Sequence, residues 1–453
     1  MNWNKQNEEK ADLVPLEANK EGMKETLYSL FLKNPDVCTD TRQIRPGCLF
    51  FALRGDRFDG NFFAGEALGK GAAYAVVDNC SGDDPRLIRV PDVLEALQQL
   101  SVTHRKAFNI PVIALTGSNG KTTTKELIQT VLATRFRVTA TKGNLNNHIG
   151  VPLSLLEMNR ETQAGLFEMG ASHPGEIAFL TEMVMPEAGL ITNISGAHME
   201  GFETLEGVKK CKGALYDYLA SSSGVVFYNA DDPVLCRMLE ERNINEKAIA
   251  YGTGIQGVKA EIVEGVLQLN VDGYPLIRTN LAGKYNTPNV LAALAVGKYY
   301  GTDPLETANA IASYRPSNYR SQWIMTSGNR ILADAYNANP VSMVLSLESF
   351  SAAEGSRKCL VLGDMLELGS DSHREHLKIV ERVEKMNAEK VFWVGPLFTQ
   401  AARERGAAGM CFPHVDALIT YLKKETPEGF VILIKGSNGI GLTILIASGV
   451  FGK

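Results

Sequence analysis

The sequence lacks long apolar segments, paired cysteine motifs and an excess of basic residues. No apolar run approaches the roughly 18 residues of a membrane-spanning helix, and the N-terminal MNWNKQNEEK is polar, so we expect neither a membrane span nor a signal peptide. The seven cysteines include no C-x-x-C pair, which favours reduced thiols and a cytoplasmic location over disulfides or a zinc site. With 46 Lys and Arg against 51 Asp and Glu, the net charge of −5 argues against nucleic acid as a partner.

The sequence contains enough apolar residues to build folded cores. Hydrophobic residues make up 45% of the 453 residues, and this length is typical of about three domains. Strand-like apolar runs alternate with helical patterns, and the runs at 111–116, 164–168, 190–194 and 431–434 are among the predicted strands. Period-two alternation between residues 259 and 281 predicts antiparallel hairpins. We therefore predict an α/β fold of three domains: a small α/β domain at 1–88, a central parallel-sheet domain at 89–314, and a C-terminal Rossmann-like α/β domain at 315–453.

A glycine-rich loop, TGSNGKTT at 116–123, lies between a predicted buried strand and a predicted helix. Glycines allow backbone N–H groups to surround phosphate oxygens, and the helix N-terminus adds partial positive charge. Lys121 would reach the outer phosphates of ATP, and the Thr122 hydroxyl would bind Mg²⁺. The loop is shorter than the common signature, because Leu115 stands where the first glycine is expected. The alternative is a turn that only connects the strand to the helix. The residues that we expect around the phosphates are Gly117, Ser118, Asn119, Gly120, Lys121, Thr122 and Thr123.

Further polar residues follow predicted strands, where open parallel sheets place their ligands. Glu168 ends one such strand and His198 follows another, so both could join Thr122 at a Mg²⁺ site. Asn144 and Asn147 lie in a glycine-bounded loop and offer amide groups to sugar hydroxyls and diphosphate oxygens. Each of these residues also has a structural interpretation, as a cap, a loop histidine or a turn.

Four motifs together resemble the Mur ligases, which are ATP-dependent amide ligases of peptidoglycan synthesis. They are TGSNGKTT, GNLNNHIGVPLSLL, EMG at 168–170 and NISGAH at 193–198, and the resemblance covers about residues 38–439. DAYNANP at 334–340 and LGDMLELG at 362–369 are similar to the branch that adds D-alanyl-D-alanine to UDP-N-acetylmuramoyl-tripeptide. The resemblance implies a phosphoryl transfer from ATP to the peptide carboxylate, followed by attack of the dipeptide amine on the acyl phosphate.

The resemblance also implies roles for individual residues. Lys121, Glu168, His198 and Lys212 would be catalytic, and Thr122, Glu168, His198 and Lys212 would form the metal site. Lys212 would be carbamylated, with Lys210 as the alternative position. Further ATP contacts would come from Asn286 and Asn289 near the adenine, and from Arg320 and Asp334 at the phosphate and ribose. Substrate contacts would come from Thr41, Arg42, Asn144, Asn147, Tyr336, Asn337 and Asn339.

Three other functions stay open at this point. The chain could be another amino acid ligase of the same family, a nucleotide-binding scaffold without catalysis, or a phosphate-loop kinase. The third residue of the tripeptide could be lysine or diaminopimelate. We expect the small-molecule substrates as the only partners, and nothing in the sequence demands more than a monomer.

Overall fold

The computed structural model describes residues 20–196, 199–202, 204–244, 247–255, 257–353, 355 and 357–452. It divides into two compact units, one formed by residues 1–109 with 148–161 and one by residues 110–147 with 162–453. The seven cysteines are all free, as the sequence predicts.

The helices and strands are numbered in chain order. Residues 20–109 form α1 (Lys20–Lys33), β1 (Val37–Cys38), β2 (Leu49–Phe51), β3 (Arg54–Gly55), β4 (Phe58–Asp59), α2 (Ala64–Gly69), β5 (Tyr74–Val77), β6 (Leu87–Arg89) and α3 (Val93–Lys106). Residues 110–244 form β7 (Val112–Thr116), α4 (Lys121–Leu132), β8 (Val138–Ala140), α5 (Gly150–Leu156), β9 (Ala164–Glu168), α6 (Glu176–Val184), β10 (Ala188–Ile191), α7 (Met199–Phe202), α8 (Leu205–Ser221), β11 (Val225–Asn229) and α9 (Pro233–Glu240). Residues 247–313 form β12 (Ala248–Tyr251), β13 (Lys259–Val263), β14 (Val266–Asn270), β15 (Ile277–Arg278), α10 (Thr287–Tyr299) and α11 (Pro304–Ser313). Residues 322–447 form β16 (Gln322–Met325), β17 (Arg330–Asp334), α12 (Pro340–Ser351), β18 (Lys358–Gly363), α13 (Ser372–Glu384), β19 (Lys390–Val394), α14 (Pro396–Arg405), β20 (Met410–Phe412), α15 (Val415–Leu422), β21 (Val431–Lys435) and α16 (Leu442–Ala447).

The first unit is built on a parallel sheet in the order β1-β2-β5-β6. Its core joins apolar side chains of α1, α3 and β2, including Leu27, Phe31, Leu49 and Leu97. The Asp92 side chain accepts a hydrogen bond from the Glu95 N–H and so caps the start of α3. Helix α3 follows the predicted boundary at residues 88 and 89 but packs against α1 and α5 in this unit. The boundary itself stays a prediction.

The second unit contains the central sheet, in the order β12-β11-β10-β7-β9-β8 with all neighbours parallel. Strand β7 is buried at all five residues, as expected of a continuous apolar run in a sheet covered on both faces. Helix α4 packs against α10 over this sheet. The predicted antiparallel segment forms a three-stranded sheet, β13-β14-β15, with Gly265 in the turn between the first two strands.

The same unit contains a second six-stranded sheet, in the order β16-β17-β21-β18-β19-β20. Strand β16 is antiparallel to β17, and the remaining neighbours are parallel. Apolar residues pack on both of its faces, with Leu360 and Leu433 on one and Val361 and Ile432 on the other. The predicted α/β fold with two parallel-sheet domains behind a smaller N-terminal domain is confirmed.

Candidate active site

A cavity of about 500 Å³ lies within the second unit, at the carboxyl ends of β7, β9, β17 and β21. Parallel sheets bind ligands at this edge because the connecting loops converge there. The cavity contains sixteen of the residues that the sequence analysis singled out. They are Ser118, Asn119, Gly120, Lys121, Thr122, Thr123, Asn144, Asn147, Glu168, Asn286, Asn289, Arg320, Asp334, Tyr336, Asn337 and Asn339.

The glycine-rich loop turns sharply between β7 and α4. Gly117 has a φ of +147°, and a Cβ there would meet the Thr192 hydroxyl oxygen at 1.9 Å, so only glycine fits this position. The Lys121 ammonium folds back on its own loop and donates to the carbonyls of Gly117 at 2.7 Å and Ser118 at 3.2 Å. Burial lowers the pKa of Lys121, the Glu168 carboxylate partly opposes this, and the charge of Arg320 adds to the lowering. The loop therefore presents a half-buried lysine side chain to the cavity.

The predicted strand at residues 190–194 ends earlier, at Ile191. Beyond it the chain bonds to the glycine-rich loop instead of continuing the sheet. The Thr192 hydroxyl donates to the Asn119 carbonyl at 2.6 Å, and the Asn193 side-chain amide donates to the same oxygen at 2.9 Å. The loop is held from the neighbouring strand, a contact between distant segments that the local pattern did not predict.

Glu168 is 1% exposed at the end of β9. Its Oε1 accepts hydrogen bonds from the Thr122 hydroxyl at 3.2 Å and from the Asn146 side-chain amide at 2.8 Å. Its Oε2 is buried without a hydrogen-bond partner. A buried carboxylate oxygen with no partner and a neighbouring hydroxyl are two oxygen donors of the kind that a hard divalent cation prefers. Asn146 was missed by the sequence analysis, although it lies in the asparagine-rich loop that was singled out.

Lys212 lies on α8 and is 1% exposed. Its ammonium nitrogen is buried and has no hydrogen-bond partner. Burial, and to a smaller extent the positive charge of Lys121, lower the pKa of Lys212 to about 7. Lys210, the alternative position for a modified lysine, is exposed. Lys212 is thus a buried amine that loses its proton about three pH units below an ordinary lysine.

Two asparagines expected near the adenine are buried beside the glycine-rich loop. The Asn289 Oδ1 accepts from the Thr124 hydroxyl at 3.0 Å, and its Nδ2 donates to Asn286 Oδ1 at 2.8 Å. Asn286 in turn donates to the Ala282 carbonyl at 2.7 Å. A Cβ at Gly120 would lie 2.7 Å from Asn289 Oδ1, so the start of α10 packs directly on the loop.

The C-terminal wall of the cavity contains a buried ion pair. The Lys435 ammonium lies 2.6 Å from Asp334 Oδ2, and Lys435 is 1% exposed. Burial opposes ionisation of Asp334, but the charge and hydrogen bond of Lys435, together with hydrogen bonds from the Ser346 hydroxyl and the Ser321 N–H, outweigh it and lower the pKa of the carboxyl. Nearby, the Arg320 guanidinium lies 3.6 Å from the centre of the Tyr336 ring. Lys435 was not predicted as a site residue, although a lysine at the end of the apolar run VILIK was a signal for one.

The predicted substrate residues Asn337 and Asn339 lie on the loop between β17 and α12. The Asn337 carbonyl accepts from Lys435 at 3.3 Å. The Asn339 Oδ1 caps α12 by accepting from the Ser342 N–H at 2.9 Å, and its Nδ2 donates to Asn119 Oδ1 at 2.7 Å. Asn339 therefore contacts the glycine-rich loop directly.

Not every predicted residue lines the cavity: Gly117, Lys212, Thr41 and Arg42 do not. His198 falls outside the described residues, so its position is not described. Thr41 and Arg42 lie in the first unit on a short 3₁₀ turn, Thr41–Gln43, where the Asp40 carboxylate accepts from the Arg42 N–H at 2.9 Å and from its guanidinium at 2.7 Å. Among the described residues there is no group of three or more His, Cys, Asp or Glu side chains suited to a metal ion, and no helix long and apolar enough to span a membrane. A metal here would therefore depend on mixed donors such as Thr122 and Glu168.

Comparisons with known proteins identify the family and the fold. Three family models match the chain: "Mur ligase family, catalytic domain" at 36–105, "Mur ligase middle domain" at 115–297, and "Mur ligase, glutamate ligase domain" at 319–438. The UDP-N-acetylmuramoyl-tripeptide–D-alanyl-D-alanine ligase of Bacillus subtilis is 35% identical over 90% of this chain and 92% of its own. MurF from Acinetobacter baumannii has a TM-score of 0.80 at 29% identity, covering 92% of this chain and 93% of its own. MurF from Thermotoga maritima in complex with ADP has a TM-score of 0.78 at 25% identity, covering 93% and 97%. The chain belongs to the Mur ligase family.

Proposed function

We propose that the chain is the ATP-dependent ligase that joins D-alanyl-D-alanine to UDP-N-acetylmuramoyl-tripeptide. One observation carries the proposal: the glycine-rich loop and the DAYNANP segment meet in one cavity. The relatives whose names carry this activity align with nine-tenths of the chain, so the catalytic domains correspond as a whole. The product would be the UDP-N-acetylmuramoyl-pentapeptide precursor of peptidoglycan.

The chemistry requires that a carboxylate be activated before an amine can form an amide with it. The γ-phosphoryl group of ATP passes to the peptide carboxylate, giving an acyl phosphate and ADP. The dipeptide amine then attacks the acyl carbon, a tetrahedral intermediate forms, and phosphate leaves. The approaching carboxylate and phosphate are both anions, so Lys121 and the N–H groups at the start of α4 lower the barrier by stabilising negative charge.

Mg²⁺ fits the residues at the end of β9. The unpartnered Glu168 Oε2 and the Thr122 hydroxyl would hold it, with nucleotide oxygens filling further positions. The ion would supply positive charge to the phosphates during transfer. We propose His198 as a further residue of this metal site only because its motif, NISGAH, resembles that of the Mur ligases.

Lys212 is the residue that we propose becomes carbamylated. A neutral lysine amine attacks CO₂, a nitrogen–carbon bond forms and one proton is released, which leaves an anionic carbamate. The support is a buried nitrogen without a partner and a pKa of about 7, since only the neutral amine is nucleophilic. A carbamate would place negative charge where the unmodified residue carries none.

The remaining assignments also stay proposals. Asn286 and Asn289 would lie near the adenine, and Arg320 and Asp334 near the phosphate and ribose, because all four line the cavity. Asn144, Asn147, Tyr336, Asn337 and Asn339 line the same cavity and would contact the peptide and sugar substrates, and Thr41 and Arg42 would bind the UDP end. We propose the domain boundaries 1–88, 89–314 and 315–453, a monomeric state and a cytoplasmic location.

Mass spectrometry tests the activity. The protein is incubated with ATP, Mg²⁺ and UDP-N-acetylmuramoyl-tripeptide, in its lysine and diaminopimelate forms, with and without D-alanyl-D-alanine. We expect a product heavier by the dipeptide minus water, formed together with ADP and only when the dipeptide is present. Absence of that product with either tripeptide, in a protein that binds ADP, would contradict the proposed substrates and favour the scaffold or another amine.

A further inference from the structure

The tip of the glycine-rich loop is organised by one residue, Asn119. Its N–H donates to Asn193 Oδ1 at 3.1 Å, and its side-chain Nδ2 donates to the Ser195 hydroxyl at 2.9 Å. These bonds orient the side-chain amide so that its Oδ1 faces the C-terminal wall of the cavity. There it accepts the 2.7 Å hydrogen bond from Asn339 Nδ2.

Asn339 is prepared for this contact by its own helix. Its Oδ1 accepts from the Ser342 N–H, and its N–H donates to the Ser342 hydroxyl at 3.0 Å, so a reciprocal cap locks the side chain. The Asn339 Nδ2 group, which the cap does not use, points away from α12 and towards Asn119. Because the donor is already oriented, little conformational freedom is lost when the bond forms.

This bond joins two segments that are 220 residues apart in sequence. Of the hydrogen bonds that the described residues make, it is the one between the loop at 116–123 and the chain beyond residue 315. The same helix, α12, carries Ser346, whose hydroxyl donates to Asp334, the carboxylate paired with Lys435. The phosphate-binding loop is thus connected to the polar wall that faces it across the cavity.

We propose that Asn339 is a positioning residue for the glycine-rich loop, which pins Asn119 so that the C-terminal domain sets the affinity of the loop for nucleotide. The proposal rests on the nucleotide-binding role given above. It adds to the proposed nucleotide contact of Asn119 and substrate contact of Asn339, because the Asn339 Nδ2 and the Asn119 Oδ1 bond to each other.

Calorimetric titration of the full-length protein with ADP in Mg²⁺ buffer tests whether the Asn119–Asn339 hydrogen bond affects nucleotide affinity. Asn339→Ser keeps a residue that caps helices well but removes the amide that reaches Asn119. We expect the Kd for ADP to rise about fivefold, the loss typical of one hydrogen bond. Asn119→Ser removes the other partner and should have a similar effect, which keeps the test valid if Asn339→Ser folds poorly.

The double variant shows whether the two single variants weaken ADP binding through the same hydrogen bond or through two independent effects. If the bond is the cause, Asn119→Ser with Asn339→Ser should bind ADP no more weakly than either single variant. Ser342→Ala serves as the control for the cap, since it should lower thermal stability and leave the ADP Kd in place. An unchanged Kd in Asn339→Ser, or effects that multiply in the double variant, would overturn the proposal. The titration contains no tripeptide or dipeptide, so the ADP Kd tests the Asn119–Asn339 contact whether or not the protein forms the amide product.

Discussion

Replacing Lys212 with alanine is expected to remove most of the activity, and acetate is expected to restore part of it. Burial lowers the pKa of Lys212 to about 7. At about pH 7.5 such an amine is about three-quarters neutral, whereas an exposed lysine with a pKa of about 10.4 is roughly 0.1% neutral. The buried site therefore offers roughly 600-fold more nucleophilic amine for reaction with CO₂.

The assay combines turnover with a direct view of the modification. In ¹³C-bicarbonate buffer, the wild-type protein should show a carbamate carbon signal that Lys212→Ala lacks. We expect turnover in Lys212→Ala to fall at least about 100-fold, because an anionic group beside the transferring phosphoryl is lost. Added acetate supplies a carboxylate and is smaller than the carbamylated side chain removed, so it should raise the rate of this variant and leave the wild-type rate unchanged.

The pH dependence has a definite sign. Wild-type activity should fall as pH decreases through about 7, because the protonated ammonium cannot form a carbamate. In CO₂-free buffer the unfolded chain binds more protons at this residue than the folded chain between about pH 7 and pH 10, so stability should rise with pH across that window. Lys212→Met should lack this rise.

Lys210→Ala is the matched control, since Lys210 lies on the same helix, α8, but is exposed. It should retain near-wild-type turnover. A fully active Lys212→Ala protein, or a carbamate signal that survives in it, would refute the assignment of the modified lysine to position 212.

Three further predictions concern residues that line the cavity. Lys121→Ala should abolish turnover because it removes the cation at the phosphates, and near-wild-type product formation in the mass-spectrometric assay would contradict this role. Glu168→Gln should raise the Mg²⁺ concentration needed for half-maximal activity at least about tenfold, since it replaces the unpartnered carboxylate oxygen; an unchanged Mg²⁺ titration would remove Glu168 from the metal site. Lys435→Met should destabilise the protein by about 3–5 kcal/mol, because it removes the charge partner of the mostly buried Asp334 carboxylate, which keeps only the hydrogen bonds from the Ser346 hydroxyl and the Ser321 N–H. Calorimetry checks this value, and Lys435→Met combined with Asp334→Asn should be more stable than Lys435→Met alone.

Local patterns in the sequence predicted the elements that depend on continuous burial. Strand β9 has the predicted bounds, Ala164–Glu168, and β7 and β21 lie within a residue of theirs. All three are short, mainly apolar runs in which every residue is buried, and such runs are typical of central strands in a parallel sheet. Strands β8, β12 and β20 were not predicted, since they are short and only partly buried. Their pairing depends on neighbours in the sheet, which a local window does not contain.

Some features of the site also follow from the local sequence, and others depend on the tertiary structure. The sequence by itself determined the phosphate loop, because its glycines, lysine and threonines are consecutive and act through their own backbone. It also pointed to Glu168, which ends an apolar strand. The tertiary structure alone decided which polar groups are satisfied and which are not: the pair of Asp334 with Lys435, the contact of Asn119 with Asn339, and the unpartnered nitrogen of Lys212. Burial and pairing are properties of the space around a side chain, and that space is formed by segments up to 220 residues apart.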